Sequence, residues 1–97
     1  MKREDFIFTI GYSGTKAIVD AKAKNQYGKL DTWELLSKGL HRAAFCSALY
    51  DGDEELLEQF RTAYVEQSGN KVDTVLALKR LFGTFEVPEN VSKAEAI

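Results

Sequence analysis

The residues best suited to chemistry are few, and they are scattered. Gly11-Tyr12-Ser13-Gly14-Thr15-Lys16 joins a strand-like segment to a glycine-bearing turn with hydroxyls and an ammonium group. Such a turn can cradle a phosphate, because backbone N–H groups converge there and the lysine supplies positive charge. The full phosphate loop is longer and sets its lysine directly after the second glycine. Here Thr15 stands between Gly14 and Lys16, and a plain hairpin turn, with Gly11 as a bulge, is the favoured reading. Cys46 and His41 are the only residues of their types. Positions five apart do not face each other on one helix. Cys46, set among Phe45, Ser47, Ala48 and Leu49, is expected to be a buried, inert thiol. His41 is expected at a helix junction, on the surface or in a cap.

The single cysteine excludes an intramolecular disulfide framework, and the single histidine excludes any site needing two. Asp51-Gly52-Asp53-Glu54-Glu55 gathers carboxylates, but Leu56 and Thr62 stand where an EF-hand calcium loop needs its glycine and its last glutamate. Helix capping accounts for these acids. No cofactor or metal is expected, and nothing resembles a catalytic constellation, so the balance leans against an enzyme.

Charge gives the main functional lead. The net charge is −2, yet the first 50 residues carry eight basic and five acidic side chains, and the remainder carry five and ten. Lys16, Lys22, Lys24, Lys29 and Lys38 can form a basic patch beside Tyr12 and Tyr27, a pattern compatible with weak nucleic-acid binding. The same polarity suits head-to-tail contact or an oppositely charged protein. The binding candidates are therefore Tyr12, Ser13, Thr15, Lys16, Lys22 and Lys24. The leading expectation is a small, non-catalytic protein-interaction or regulatory module in the cytoplasm. It would meet a protein partner or another copy of itself through exposed aromatics or a sheet edge. The alternative is a nucleic-acid- or phosphate-ligand-binding domain using the Gly11–Lys16 turn and neighbouring lysines. No apolar run is long enough to cross a membrane, and the charged start of the chain does not read as a signal peptide.

The elements that must position these residues read as an α+β domain. Phe6–Ile10 is rich in β-formers and alternates. A turn at Ser13-Gly14 pairs Tyr12 with Thr15, Ile10 with Ala17 and Phe8 with Val19. A helix from Thr15 to Tyr27, ended by Gly28, competes with this; strand to Asp20 followed by a short helix over Ala21–Tyr27 reconciles the two. Asp31 and Glu34 have capping-box spacing, and Trp33, Leu36 and Leu40 fall on one face of the helix that follows, with Gly39 in its C-cap. Arg42–Tyr50 is small and apolar, the central helix. Asp53 caps a helix with the stripe Leu56, Leu57, Phe60, Tyr64 and Val65. Asp73 caps a last helix with the stripe Val75, Leu78 and Phe82, stopped by Gly83. Thr84–Val87 alternates and offers a third strand. The expected architecture is a small antiparallel sheet packed by about four helices, one domain over residues 1–88, with 89–97 a mobile tail.

Two local resemblances occur. Leu40-His41-Arg42-Ala43-Ala44 resembles the LHxAA signature of ankyrin repeats, over five residues and with no internal repeat, so no ankyrin function follows. Phe8–Gly14 resembles the first strand and turn of a family of small α/β proteins that open with TIGYGG-like segments. That family's leucine-rich helix and Asp-x-Arg strand end are absent here, and the likeness implies no activity.

Overall fold

Acidic residues at the start of a helix favour its positive end, and Glu4 and Asp5 occupy the first turn of α1, Arg3–Ile7. A computed structural model describes all 97 residues, and in it this helix takes Phe6 and Ile7 from the strand expected at Phe6–Ile10, which begins at Thr9 instead. Phe6, Ile7 and Phe8 are all buried. Consecutive inward side chains suit a short helix packed on several sides, and alternation over five residues cannot distinguish that from a strand.

β1 (Thr9–Ser13) and β2 (Lys16–Val19) form the expected hairpin, with partners two residues from the expected register. The pairs are Ser13–Lys16, Tyr12–Ala17, Gly11–Ile18 and Thr9–Val19, with a bulge at Ile10. The turn residues are Gly14 and Thr15, and Gly14 has φ +62°. A primed two-residue turn takes glycine readily at its first central position, which moves the turn one place on from Ser13-Gly14. A two-residue shift keeps the faces of a strand, because side chains alternate with a period of two; the bulge at Ile10 is what turns that side chain to solvent.

Strand then helix is the outcome over 16–27: Asp20 accepts from Ala23 N at 3.1 Å and caps α2, Ala21–Tyr27. In α3, Thr32–Ser37, Asp31 and Glu34 complete their capping box. The inward face is Thr32, Leu35 and Leu36, whereas Trp33 is turned out. A buried bond of 2.8 Å between Thr32 Oγ1 and Ser47 Oγ fixes that rotation. α4, His41–Asp51, is the central helix, with every residue from Ala43 to Leu49 buried. α5, Glu54–Ser68, starts on Asp53 and buries Leu57, Phe60 and Tyr64. α6, Val75–Phe82, is capped by Thr74 instead of Asp73, because Thr74 Oγ1 lies 3.1 Å from Ala77 N. Phe45, Phe60, Tyr64 and Phe82 form the aromatic centre where α4, α5 and α6 meet.

The third strand is not at 84–87. Thr84 is buried and Phe85 exposed there, without strand pairing. The segment expected as a tail supplies β3 instead, Lys93–Ala96, which lies parallel to β2. The fold is α+β, with six helices and a mixed sheet in the order β1-β2-β3.

Candidate protein interface

β2 is the central strand, so β1 is an open edge of the sheet. Its outward side chains are large. Ile10 is 61% exposed and Tyr12 49%, and Phe85, across a shallow cleft from Tyr12, is 52% exposed. An unpaired edge beside exposed apolar side chains is a surface on which another chain can add.

Arg42 holds this face in shape. It lies in the first turn of α4, next to the bulge in β1. Nη1 donates to the Thr9 carbonyl at 2.9 Å, Nη2 to Thr84 Oγ1 at 3.3 Å, and Nε more weakly to the Phe82 carbonyl at 3.4 Å. One guanidinium thereby joins β1 to the end of α6. Concavities lie on either side of it. One, of about 320 Å³, runs between β1 and the start of α4 and is lined by Phe8, Ile10, Ala23, Leu40 and Arg42 among others. The other, of about 180 Å³, is lined by Tyr12, Arg42, Thr84, Phe85, Glu86 and Pro88. The surface thus sets an apolar hollow on one side of the Arg42 cation and a mixed one, where Tyr12 and Phe85 stand beside Glu86, on the other.

Burial pushes the Cys46 thiol up, and Arg42 and Thr84 only partly oppose it. A nucleophilic cysteine needs the reverse. Cys46 is fully buried, as its neighbours in sequence suggested. Partial burial also pushes the Tyr12 phenol up, ahead of the opposing effects of Arg42 and Thr9. Both side chains are therefore neutral at physiological pH. His41 bonds Gln67 Oε1 at 2.8 Å and meets Tyr64 edge-on, which occupies it at the α4–α5 junction. Asp53 accepts from Glu55 N and Leu56 N as a helix cap.

The six binding candidates divide into groups. Tyr12, Ser13, Thr15 and Lys16 gather at the tip of the hairpin, and Lys22 and Lys24 lie on α2 beyond the other end of β2. The C-terminal segment engages the hairpin tip. Ser92 N donates to the Thr15 carbonyl at 2.8 Å, and Lys16 Nζ lies 2.8 Å from Glu95 Oε2. Lys24 pairs with Asp5 at 2.6 Å, whereas Lys22 is exposed. Sequence reasoning did not single out Ile10, Arg42 or Phe85. An arginine opening an otherwise apolar helix is the one signal for Arg42, and Ile10 was hidden by the bulge. The chain matches no protein-family model, no curated protein and no solved structure.

Proposed function

We propose that this chain is a non-catalytic protein-interaction module that takes an extended segment of a partner along the free edge of β1. The observation that carries this reading is the joint exposure of Ile10, Tyr12 and Phe85 at the open outer edge of β1. Strand addition draws affinity from main-chain hydrogen bonds and specificity from hollows that accept alternate side chains. The concavities flanking Arg42 suit such side chains, and Tyr12 supplies a large, rigid contact of the kind that dominates interface energetics. The partner segment is extended and apolar at alternate positions, with its backbone free to bond.

The reading is tested with a displayed library of random peptides panned against the intact chain. Enriched peptides should bind with micromolar affinity and shift the amide resonances of Gly11–Ser13. Tyr12→Asp and Ile10→Asp should weaken them at least tenfold, and Leu76→Asp, on α6, should not. Failure to enrich any peptide, or shifts confined to other elements, would overturn it.

A further inference from the structure

The other edge of the sheet carries a different feature. Every side chain of β3 is exposed, and no residue after Thr84 is buried. The strand is held by main-chain bonds and few side-chain contacts. Beyond its ladder with β2, the bonds at its ends run from Ser92 N to Thr15 O at 2.8 Å, from Ile97 N to Val19 O at 3.0 Å and from Ala21 N to Ile97 O at 3.4 Å. Ser92 Oγ also meets Thr15 Oγ1 at 3.2 Å, and Glu95 pairs with Lys16. Water replaces all of these when the strand lifts, so β3 belongs to the least protected part of the fold.

β2 is built differently. Ala17 and Val19 are essentially inaccessible and anchor it to the core. When β3 lifts, β2 stays in place with a row of unpaired N–H and C=O groups, which is a template for another strand. The connection from Phe85 to Ser92 contains neither helix nor strand and no buried residue, so it can swing β3 away without unpacking an element.

We infer that two copies of this chain exchange β3, each laying Lys93–Ala96 against β2 of the other. A second copy is the occupant that fits best. It presents the same residues in the same parallel register, Lys16 opposite Lys93 through Val19 opposite Ala96, and restores the Lys16–Glu95 pair. Exchange of an identical element loses no contact of the closed chain. A short flexible tether gives the strand's own chain an effective concentration of about 1 mM, so exchange competes as the protein approaches that concentration. This inference concerns the edge opposite β1 and does not depend on the partner-binding reading.

Charge complementation tests it. In Lys16→Glu and in Glu95→Lys the closed chain and the self-exchanged dimer both set like charges together. In a heterodimer of the two variants, the glutamate introduced at position 16 of one chain meets the lysine introduced at position 95 of the other. The second exchanged strand rebuilds the native Lys16–Glu95 pair, so both pairs are opposite in sign. By analytical ultracentrifugation at about 1 mM, the wild type should form dimers and the equimolar mixture should hold roughly fivefold more dimer than either variant alone. A chain ending at Ser92 should stay monomeric with unchanged helical circular dichroism, and Tyr12→Asp should dimerise like the wild type. A mixture no more dimeric than its components would overturn the inference. So would dimers of the shortened chain, or loss of the dimer in Tyr12→Asp.

Discussion

The guanidinium of Arg3 donates to Ser47 Oγ across 2.8 Å, joining the start of α1 to the middle of α4. It also donates to the carbonyls of Gly28 and Leu30, and Ser47 in turn bonds Thr32. One cation therefore closes the α2–α3 connection over the central helix. Arg3→Met leaves the Gly28 and Leu30 carbonyls without this donor and should cost about 2–3 kcal/mol, the penalty of stranding partly buried polar groups. Arg3→Lys should recover only part of that, because a single ammonium cannot match the planar fork of donors. Urea unfolding reads both. A loss below about 0.5 kcal/mol for Arg3→Met, the range of an ordinary surface change, would show that the bonds are dispensable.

The two kinds of phenylalanine should separate in the same assay. Phe45 is fully buried, with its ring 5.8 Å from Phe60 and 5.2 Å from Phe82, centroid to centroid. Phe45→Ala removes the shared contact of α4, α5 and α6 and should cost about 3–5 kcal/mol. Domains of this size are stable by about 5–15 kcal/mol, so the variant should lose a large share of its stability. Phe85→Ala, on the surface beside Tyr12, should change stability by less than about 0.5 kcal/mol and should weaken captured peptides. A large stability loss from Phe85→Ala would mean that its exposure is structural.

The helical half of the fold was written in its caps. Asp31 with Glu34, Asp53 and the glycines that end α4, α5 and α6 mark helix ends locally, so a single sequence reveals them. The sheet was less legible because its determinants are not local. Ile10 reads as a core residue in the alternating pattern, and only the bulge turns it outward. Lys93–Ala96 has no strand-forming pattern of its own and is a strand because β2 offers it an edge; Thr84–Val87 has that pattern, but Thr84 is taken by Arg42. The candidate interface was half visible for the same reason. Tyr12 stands out by type, whereas Arg42 and Phe85 reach it only through the meeting of α4, α6 and β1.

Alkaline pH should weaken the fold through Cys46. Burial raises the thiol's folded pKa above its ordinary value, so the folded state favours the protonated form. Stability is unaffected below the unfolded thiol pKa of about 8.5 and falls as pH rises beyond it, because the unfolded chain then releases its proton first. Thermal unfolding followed from pH 7 to 10 should show the decline in the wild type and a flatter profile in Cys46→Ala. Equal slopes would assign the effect elsewhere. The native thiol should also react with a thiol reagent at pH 8 at least a hundredfold more slowly than the denatured chain.

Acid should loosen β3 before it loosens the helices. The hydrogen bond from Lys16, and then its charge, hold the Glu95 carboxyl below the usual range, with a lesser contribution from Lys93. A depressed folded pKa means that the docked strand favours the ionised carboxylate. That contribution is present above the free glutamate value of about 4.3 and is lost as pH falls through the docked value. Heteronuclear NOEs of residues 93–96 should therefore drop between about pH 5 and pH 3, while those of α4 hold. The decisive control is Glu95→Gln. In that variant β3 should already be looser at pH 7 and should show little further response to acid. An unchanged acid response would place the sensitivity outside the Lys16–Glu95 pair.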